Sequence, residues 1–368
     1  MSLIVDIKKK YKGFTLEAAF SSDEGTLALL GASGSGKSMT LKCIAGLISP
    51  DEGVIIADGR VLYDSTAKID LRPQERGVGY LFQNYALFPN MTVRQNIAIA
   101  HRGGAERRDA DIDALFARYE LEGLEDRYPV QLSGGQQQRA ALARIFAYRP
   151  KVLLLDEPFS ALDTFLRENM QAELKRVIRE YDGSVVLVTH NRDEAYKLAD
   201  DLVILDRGRA TAAGPVREVF AHPVNVRAAR ITGCKNISAI EKTGDHSFFA
   251  KDWGVELKTE EPIEERHFFA GIRAHDFVPV KDKDRDKDKD KDNESANGRE
   301  AGGNIAAEEP NWFLIEFIDE TDGPFEKDVI FRAEGGTGSL WWIADRGTDA
   351  SGIHALSIAP EKILLLEQ

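Results

Sequence analysis

Leu27-Ala28-Leu29-Leu30-Gly31-Ala32-Ser33-Gly34-Ser35-Gly36-Lys37-Ser38-Met39 is the stretch on which the reading of this chain turns. A short apolar run enters a glycine-rich segment that fits GxxxxGK[ST] at every fixed position, and a helical pattern over Ser38–Leu47 follows. The chemistry asks for these residue types. Glycines let the backbone turn and aim its N–H groups at phosphates, and the following helix adds its positive N-terminal end. Lys37 is placed to reach the β- and γ-phosphates, and the Ser38 hydroxyl to coordinate Mg²⁺. Gly31, Ala32, Ser33, Gly34, Ser35, Gly36, Lys37, Ser38 and Met39 are therefore the expected nucleotide cradle.

Working outward, such a cradle needs an acidic residue at the end of a neighbouring strand. The apolar run Val152–Leu155 leads into Asp156-Glu157-Pro158. Asp156 is expected to hold Mg²⁺, and Glu157 stands where a base could polarise the attacking water. An Asp-Glu pair is otherwise often a solvated turn, but this one follows a fully apolar strand. Strands are also expected at Leu3–Ile7, Thr26–Leu30, Val78–Phe82, Val185–Thr189 and Leu202–Leu205, and helices at Gln136–Tyr148 and Thr164–Tyr181. Runs such as VLLL and VVLV suit the buried middle of a parallel sheet. The alternation predicts an α/β core, with a helical subdomain inserted over about residues 92–149.

Leu132-Ser133-Gly134-Gly135-Gln136-Gln137-Gln138-Arg139 opens an alanine-rich helix shortly before the acidic strand. It resembles the signature motif of ATP-binding-cassette proteins. Physically it is a second anion site without a cradle of its own: Ser133 can cap the helix, and two glycines let a phosphate approach the backbone. The resemblance continues residue by residue over Met1 to about Ala221. Gln83 matches the glutamine-loop residue, which the family uses to sense Mg²⁺ and the γ-phosphate. Ser160-Ala161-Leu162-Asp163 matches the loop that carries communication between subunits. His190 matches the switch histidine, and Tyr11 the aromatic that stacks on adenine, with Phe14 as the substitute. The resemblance implies a head-to-tail dimer in which Lys37, Ser38 and Asp156 of one copy hold Mg-ATP. Ser133, Gly134, Gly135 and Gln136 of the second copy, with Asp163 nearby, would close over it. Glu157, His190, Gln83 and Lys37 would carry the hydrolysis.

Composition narrows the setting. The formal net charge of −13 repels phosphate backbones, so nucleic acid is not an expected partner. A soluble cassette protein of DNA repair or translation is the rival reading. It would call for a second cassette, a coiled-coil insertion or a basic surface, and none is recognisable in the sequence. Two cysteines, Cys43 and Cys234, lie far apart and are expected as reduced thiols. No apolar run approaches the roughly 18 residues that cross a bilayer, and the first residues do not read as a signal peptide. The expected location is the cytoplasmic face of a membrane, reached through partner permease subunits and, indirectly, a solute-binding protein. The apolar stretch Asn84–Asn96 is either the docking surface for a permease or a core-packed loop.

Beyond about residue 232 the pattern changes to short strand-like runs at Phe268–Arg273, Phe313–Ile318, Val329–Phe331 and Ile363–Leu366. A small, mostly β, OB-like domain is expected over 233–368. KDKDRDKDKDKDNESANGRE, starting at Lys281, has nothing apolar to bury and is expected as a solvated, disordered insertion over about 281–308. A β domain after the cassette is similar to importer ATPases for sugars, polyamines, iron, sulfate and molybdate. Gly271-Ile272-Arg273 matches an element of that domain, although Ala274-His275 replaces the usual Pro-Glu. YLFQNYALFPNMTVRQNI and TGCKNIS resemble the molybdate or sulfate type most. The domain is expected to act as a regulatory module for the transported anion, or only in dimerisation.

Overall fold

The structure, a computed structural model, describes residues 2–22, 25–104, 107–160, 164–280 and 311–368. The insertion expected over 281–308, and Ala161, Leu162 and Asp163, lie outside the described residues. The chain forms two compact units, Met1–Val219 and Phe220–Gln368.

The first unit opens with β1 (Leu3–Tyr11), β2 (Phe14–Ser22), β3 (Thr26–Leu30), α1 (Lys37–Ala45), β4 (Glu52–Ala57), β5 (Arg60–Asp64), β6 (Ile69–Asp70) and β7 (Val78–Leu81). Three helices follow, α2 (Val93–Ala98), α3 (Arg108–Arg118) and α4 (Gly134–Ala147). Then come β8 (Val152–Asp156), α5 (Thr164–Arg179), β9 (Ser184–Thr189), α6 (Arg192–Leu198), β10 (Asp201–Asp206), β11 (Arg209–Pro215) and α7 (Val216–Ala221). One sheet takes the order β6-β5-β4-β1-β2-β11-β10-β3-β9-β8-β7. Its β10-β3-β9-β8-β7 part is parallel throughout. The β6-β5-β4-β1-β2 part is antiparallel.

Strands β8 and β9 are buried along their whole length, and the two faces feed different cores. Leu153, Leu155, Val185 and Leu187 pack with Phe116, Leu142 and Leu174 of α3, α4 and α5. Val152, Leu154, Val186 and Val188 pack with Leu41 and Ile44 of α1 and with Val5 and Leu16. Each such side chain stabilises the fold by about 1.5–3 kcal/mol. A period-2 strand with helices on both faces has no polar side to show, and this is why these runs read as continuously apolar. The segment between Thr92 and Arg149 is less helical than its pattern suggests. After α3 the chain runs through turns, with Gly123 at φ 80°, before a single 3₁₀ turn at Pro129–Gln131.

The second unit contains α8 (Val226–Ile231), β12 (Asn236–Lys242), β13 (Ser247–Ala250), β14 (Val255–Lys258), β15 (Phe269–Ile272), β16 (Val278–Pro279), β17 (Asn311–Asp322), β18 (Glu326–Ala333), β19 (Leu340–Asp345), β20 (Ala355–Ile358) and β21 (Ile363–Leu366). These strands form two sheets, β14-β13-β12-β15-β21 and β16-β20-β17-β18-β19. Every pairing within them is antiparallel. Phe277, Phe313 and Phe331 meet between the sheets with ring centroids 5.3–6.4 Å apart. Buried Asn236 stitches the sheets together: its amide donates to Ile272 O at 3.1 Å and Trp341 O at 2.8 Å, and its Oδ1 accepts from Trp341 N at 2.6 Å.

The units divide after Val219, earlier than the change of sequence pattern near residue 232. Helix α8 belongs to the second unit, where its Ala229 packs with Cys234 and Leu366. Arg273, just past β15, donates to the carbonyls of Thr232 and Phe220 and fastens this stretch to the β unit. Both cysteines are free and buried, and burial pushes each thiol up to about 11.

Candidate functional site

Parallel strands place all their carboxyl ends on one edge, where ligands collect in open α/β sheets. The cradle follows β3, His190 follows β9, Asp156 ends β8 and Gln83 follows β7, and β3, β9, β8 and β7 are successive neighbours. Four segments scattered over the chain thus converge because of strand order alone.

The cradle turns into α1 at Gly36, whose φ of 106° disfavours any side chain. A Cβ there would also come within 2.9 Å of Leu16 Cδ1. At Gly31 a Cβ would lie 2.2 Å from Leu205 O, so the loop passes too close to β10 for anything larger. Lys37 is buried, and its Nζ donates to the carbonyls of Gly31 and Ala32 at 2.8 and 2.9 Å. Burial lowers its pKa, opposed by the carboxylates of Glu157 and Asp156. An incoming anion would meet a desolvated ammonium whose hydrogen bonds among the described residues go to carbonyl oxygens. Ser35 is buried, and its Oγ has no hydrogen-bond partner among the described residues.

Ser38 Oγ donates to Asp156 Oδ1 at 2.7 Å, and Tyr80 Oη donates to Asp156 Oδ2 at 2.7 Å. A hydroxyl beside a carboxylate is an all-oxygen donor pair of the kind Mg²⁺ takes, with phosphate and water completing the set. Glu157 follows in the left-handed region at φ 46°, a strained setting for a residue with a side chain. Its N–H donates to Val188 O at 3.0 Å. Its Oε1 lies 3.3 Å from His190 Nδ1, and its Oε2 lies 3.5 Å from Gln83 Nε2. Gln83 also donates to Ser160 Oγ at 3.0 Å, and Ser160 Oγ donates to Glu157 O at 3.0 Å. His190 is presented between the end of β9 and α6, which Asn191 caps by accepting from Asp193 N and Glu194 N.

A cleft of about 450 Å³ opens beside the cradle, lined by Tyr11, Phe14, Ser33, Gly34, Lys37, Ser38, Met39 and Glu157 among others. Tyr11 is 42% exposed at the end of β1, with the Lys9 ammonium 5.8 Å from its ring centre. Ser133, Gly134, Gly135 and Gln136 do not line this cleft. They start α4, where Ser133 Oγ accepts from Gln136 N at 3.3 Å and Gln136 Oε1 accepts from Ser133 N at 2.9 Å, a reciprocal cap.

Tyr80, Lys42 and Ile48 also stand at this site and are not among the residues expected from the sequence. Lys42 stands one helical turn after Ser38 and lines the same cleft, a spacing that could have found it. Tyr80 had a weaker signal: a half-buried tyrosine in an apolar strand needs a partner for its hydroxyl. Burial, with the hydrogen bond to Asp156, raises its pKa and keeps it a donor. If Asp156 holds Mg²⁺, Tyr80→Phe is expected to raise the Mg²⁺ concentration needed for half-maximal ATP turnover roughly tenfold, as loss of a group orienting a metal ligand does. An unchanged Mg²⁺ requirement would show that Tyr80 only fills space.

A family model described as "ABC transporter" matches residues 18–160. The chain is 42% identical over 245 residues to the sulfate/thiosulfate import ATP-binding protein CysA of Thermosynechococcus vestitus, covering 64% of this chain and 70% of that protein. It is 38% identical over 223 residues to the molybdenum import ATP-binding protein ModC of Paramagnetospirillum magneticum, covering 60% of this chain and 61% of that one. It is 44% identical over 215 residues to the spermidine/putrescine import ATP-binding protein PotA of Methylococcus capsulatus, covering 57% of this chain and 54% of that one. For the last two the match spans less than two thirds of the relative's own length, as it does, at 64%, for the CysA protein of Synechocystis. With the cradle, the acidic strand end and the signature helix in place, the chain belongs to the ATP-binding-cassette transporter family.

Proposed function

We propose that this chain binds Mg-ATP and hydrolyses it to power an importer. The observation that carries the reading is the convergence of Lys37, Ser38, Asp156, Glu157, Gln83 and His190 on one edge of the sheet. In this reading Tyr11 stacks on the base and Gly31–Met39 wrap the phosphates. Lys37 and His190 offset charge on the γ-phosphoryl group, and Glu157 takes the proton of the attacking water. Ser38, Asp156 and Gln83 would hold Mg²⁺, which supplies neutralisation of phosphate charge when bound. Ser133–Gln136 offer a capped, anion-ready helix start apart from the cleft, and this supports a site completed by a second copy of the chain, head to tail. The role of Asp163 at that junction is proposed from the motif alone.

No helix among the described residues is long and apolar enough to cross a membrane. Permease subunits at the cytoplasmic face, supplied in turn by a solute-binding protein, are the proposed partners. The transported solute is proposed to be an oxyanion such as molybdate, tungstate or sulfate. Two of the relatives described above are named for sulfate and molybdenum import, whereas the third, named for spermidine and putrescine, supports a polyamine as the second reading. Uptake of labelled molybdate, tungstate and sulfate by the assembled complex separates the two.

If the β unit senses the transported anion, it can act on the cassette only by favouring one of its states. Molybdate or tungstate is then expected to inhibit ATP turnover by the complete complex, with coupling of about 1–3 kcal/mol. Removal of Phe220–Gln368 should abolish the inhibition while ATP binding persists. Equal turnover with and without each oxyanion would reduce the unit to a spacer or dimerisation role.

A further inference from the structure

Just after Gln83, two successive residues with side chains, Tyr85 and Ala86, adopt the left-handed region at φ 58° and 45°. That conformation is uncommon for one such residue and persists for two only where the surroundings impose it. The imposing group is Arg144. It stands on α4, the helix that Ser133 caps, and its guanidinium grips both strained carbonyls: Nη1 donates to Ala86 O at 2.8 Å and Nη2 to Tyr85 O at 3.1 Å. The plane also lies 5.5 Å from the ring centre of Phe88. Burial lowers the pKa of Arg144, with no carboxylate countering it among the described residues. A half-buried cation met, among the described residues, by two carbonyls and a ring is a poor choice for stability alone. The far end of the loop is held as well. Asn96, fully buried, donates to the carbonyls of Phe88, Met91 and Thr92, and its Oδ1 accepts from Phe88 N at 2.8 Å.

We propose that Arg144 is a positioning residue for Gln83, tying the signature helix to the glutamine that reaches Glu157 and Ser160. Asn96 keeps the remaining loop from absorbing the movement, so a displacement of α4 reaches Gln83 within two residues of backbone. Arginine is required because its planar fork holds two carbonyls at once, whereas a lysine ammonium is a point donor on a flexible stem. The inference rests on the roles given above to Gln83 and the signature helix.

The test is steady-state ATP turnover by the full chain carrying Arg144→Ala, Arg144→Lys, Gln83→Ala and the pair Arg144→Ala/Gln83→Ala. Arg144→Ala is expected to lower kcat roughly 10- to 100-fold, as misplacement of a reacting group does, with KM for ATP little changed. Arg144→Lys should restore only part of the loss. In Arg144→Lys, amide exchange at Tyr85–Met91 should accelerate while that of the α4 interior does not, a readout that does not depend on the alanine variant folding. The paired variant should turn over no more slowly than Gln83→Ala alone, because both changes remove one function. Wild-type turnover by Arg144→Lys, or effects that multiply in the pair, would overturn the proposal while the site reading stands. Wild-type turnover by Gln83→Ala would overturn the site reading and this inference with it.

Discussion

Replacement of Glu157 by glutamine is expected to leave ATP binding intact and to lower hydrolysis roughly 10²–10⁴-fold, the contribution of a positioned general base. Glutamine matches glutamate in size and can keep a contact with His190 and Gln83, both within 3.5 Å of the carboxylate. It cannot take a proton from water. The left-handed backbone at Glu157 is fixed by its N–H bond to Val188, which the substitution does not touch. Nucleotide should therefore persist at the site, and the closed dimer should accumulate with ATP. Single-turnover hydrolysis measured beside equilibrium nucleotide binding separates the two effects. Turnover near that of the unaltered chain would remove Glu157 from the role of base.

The second large effect concerns the composite site. Lys37→Ala strips the cradle of its buried ammonium, and Ser133→Arg places a bulky cation at the start of α4. Each altered chain alone should fail to close with ATP, because every site in its dimer carries one lesion. Mixed in equal amounts, about half of the dimers should contain one copy of each, by the two-fold pairing of like surfaces. In these, both lesions fall in one site and the other keeps an intact cradle and an intact signature. ATP-dependent closure should return in the mixture, read by sedimentation or by distance labels on the two copies. Normal closure by either altered chain alone would rule out the head-to-tail arrangement.

The signals legible before any coordinates were local ones. The strand Thr26–Leu30 was expected within its observed bounds, and β8 and β9 within one residue, because strands flanked by helices on both faces are apolar throughout. Strands β2, β4 and β5 escaped notice. They alternate or carry charge, as in the burial pattern of Phe14–Ser22, and take their shape from antiparallel partners. In the second unit, β13, β14, β19 and β20 were missed for the same reason. Gly123 and the turns after α3 break an expected helical run, and Gly123 and Pro129 are the breaker signals within it.

The amino-acid sequence by itself determined the nucleotide cradle, the acid pair, the signature and the change of fold class along the chain, because each depends on residues adjacent in the chain. Which of these stand together was decided only in three dimensions. The order β3-β9-β8-β7 brings Lys37, His190, Glu157 and Gln83 to one edge, although the chain visits these strands in a different order. Tyr80 meets Asp156 across 76 positions of sequence, and Arg144 meets Ala86 across 58. Hydrogen bonds of that span depend on side-chain direction and on the packing of several elements at once. No short window of sequence contains both partners, so only the folded chain can specify them.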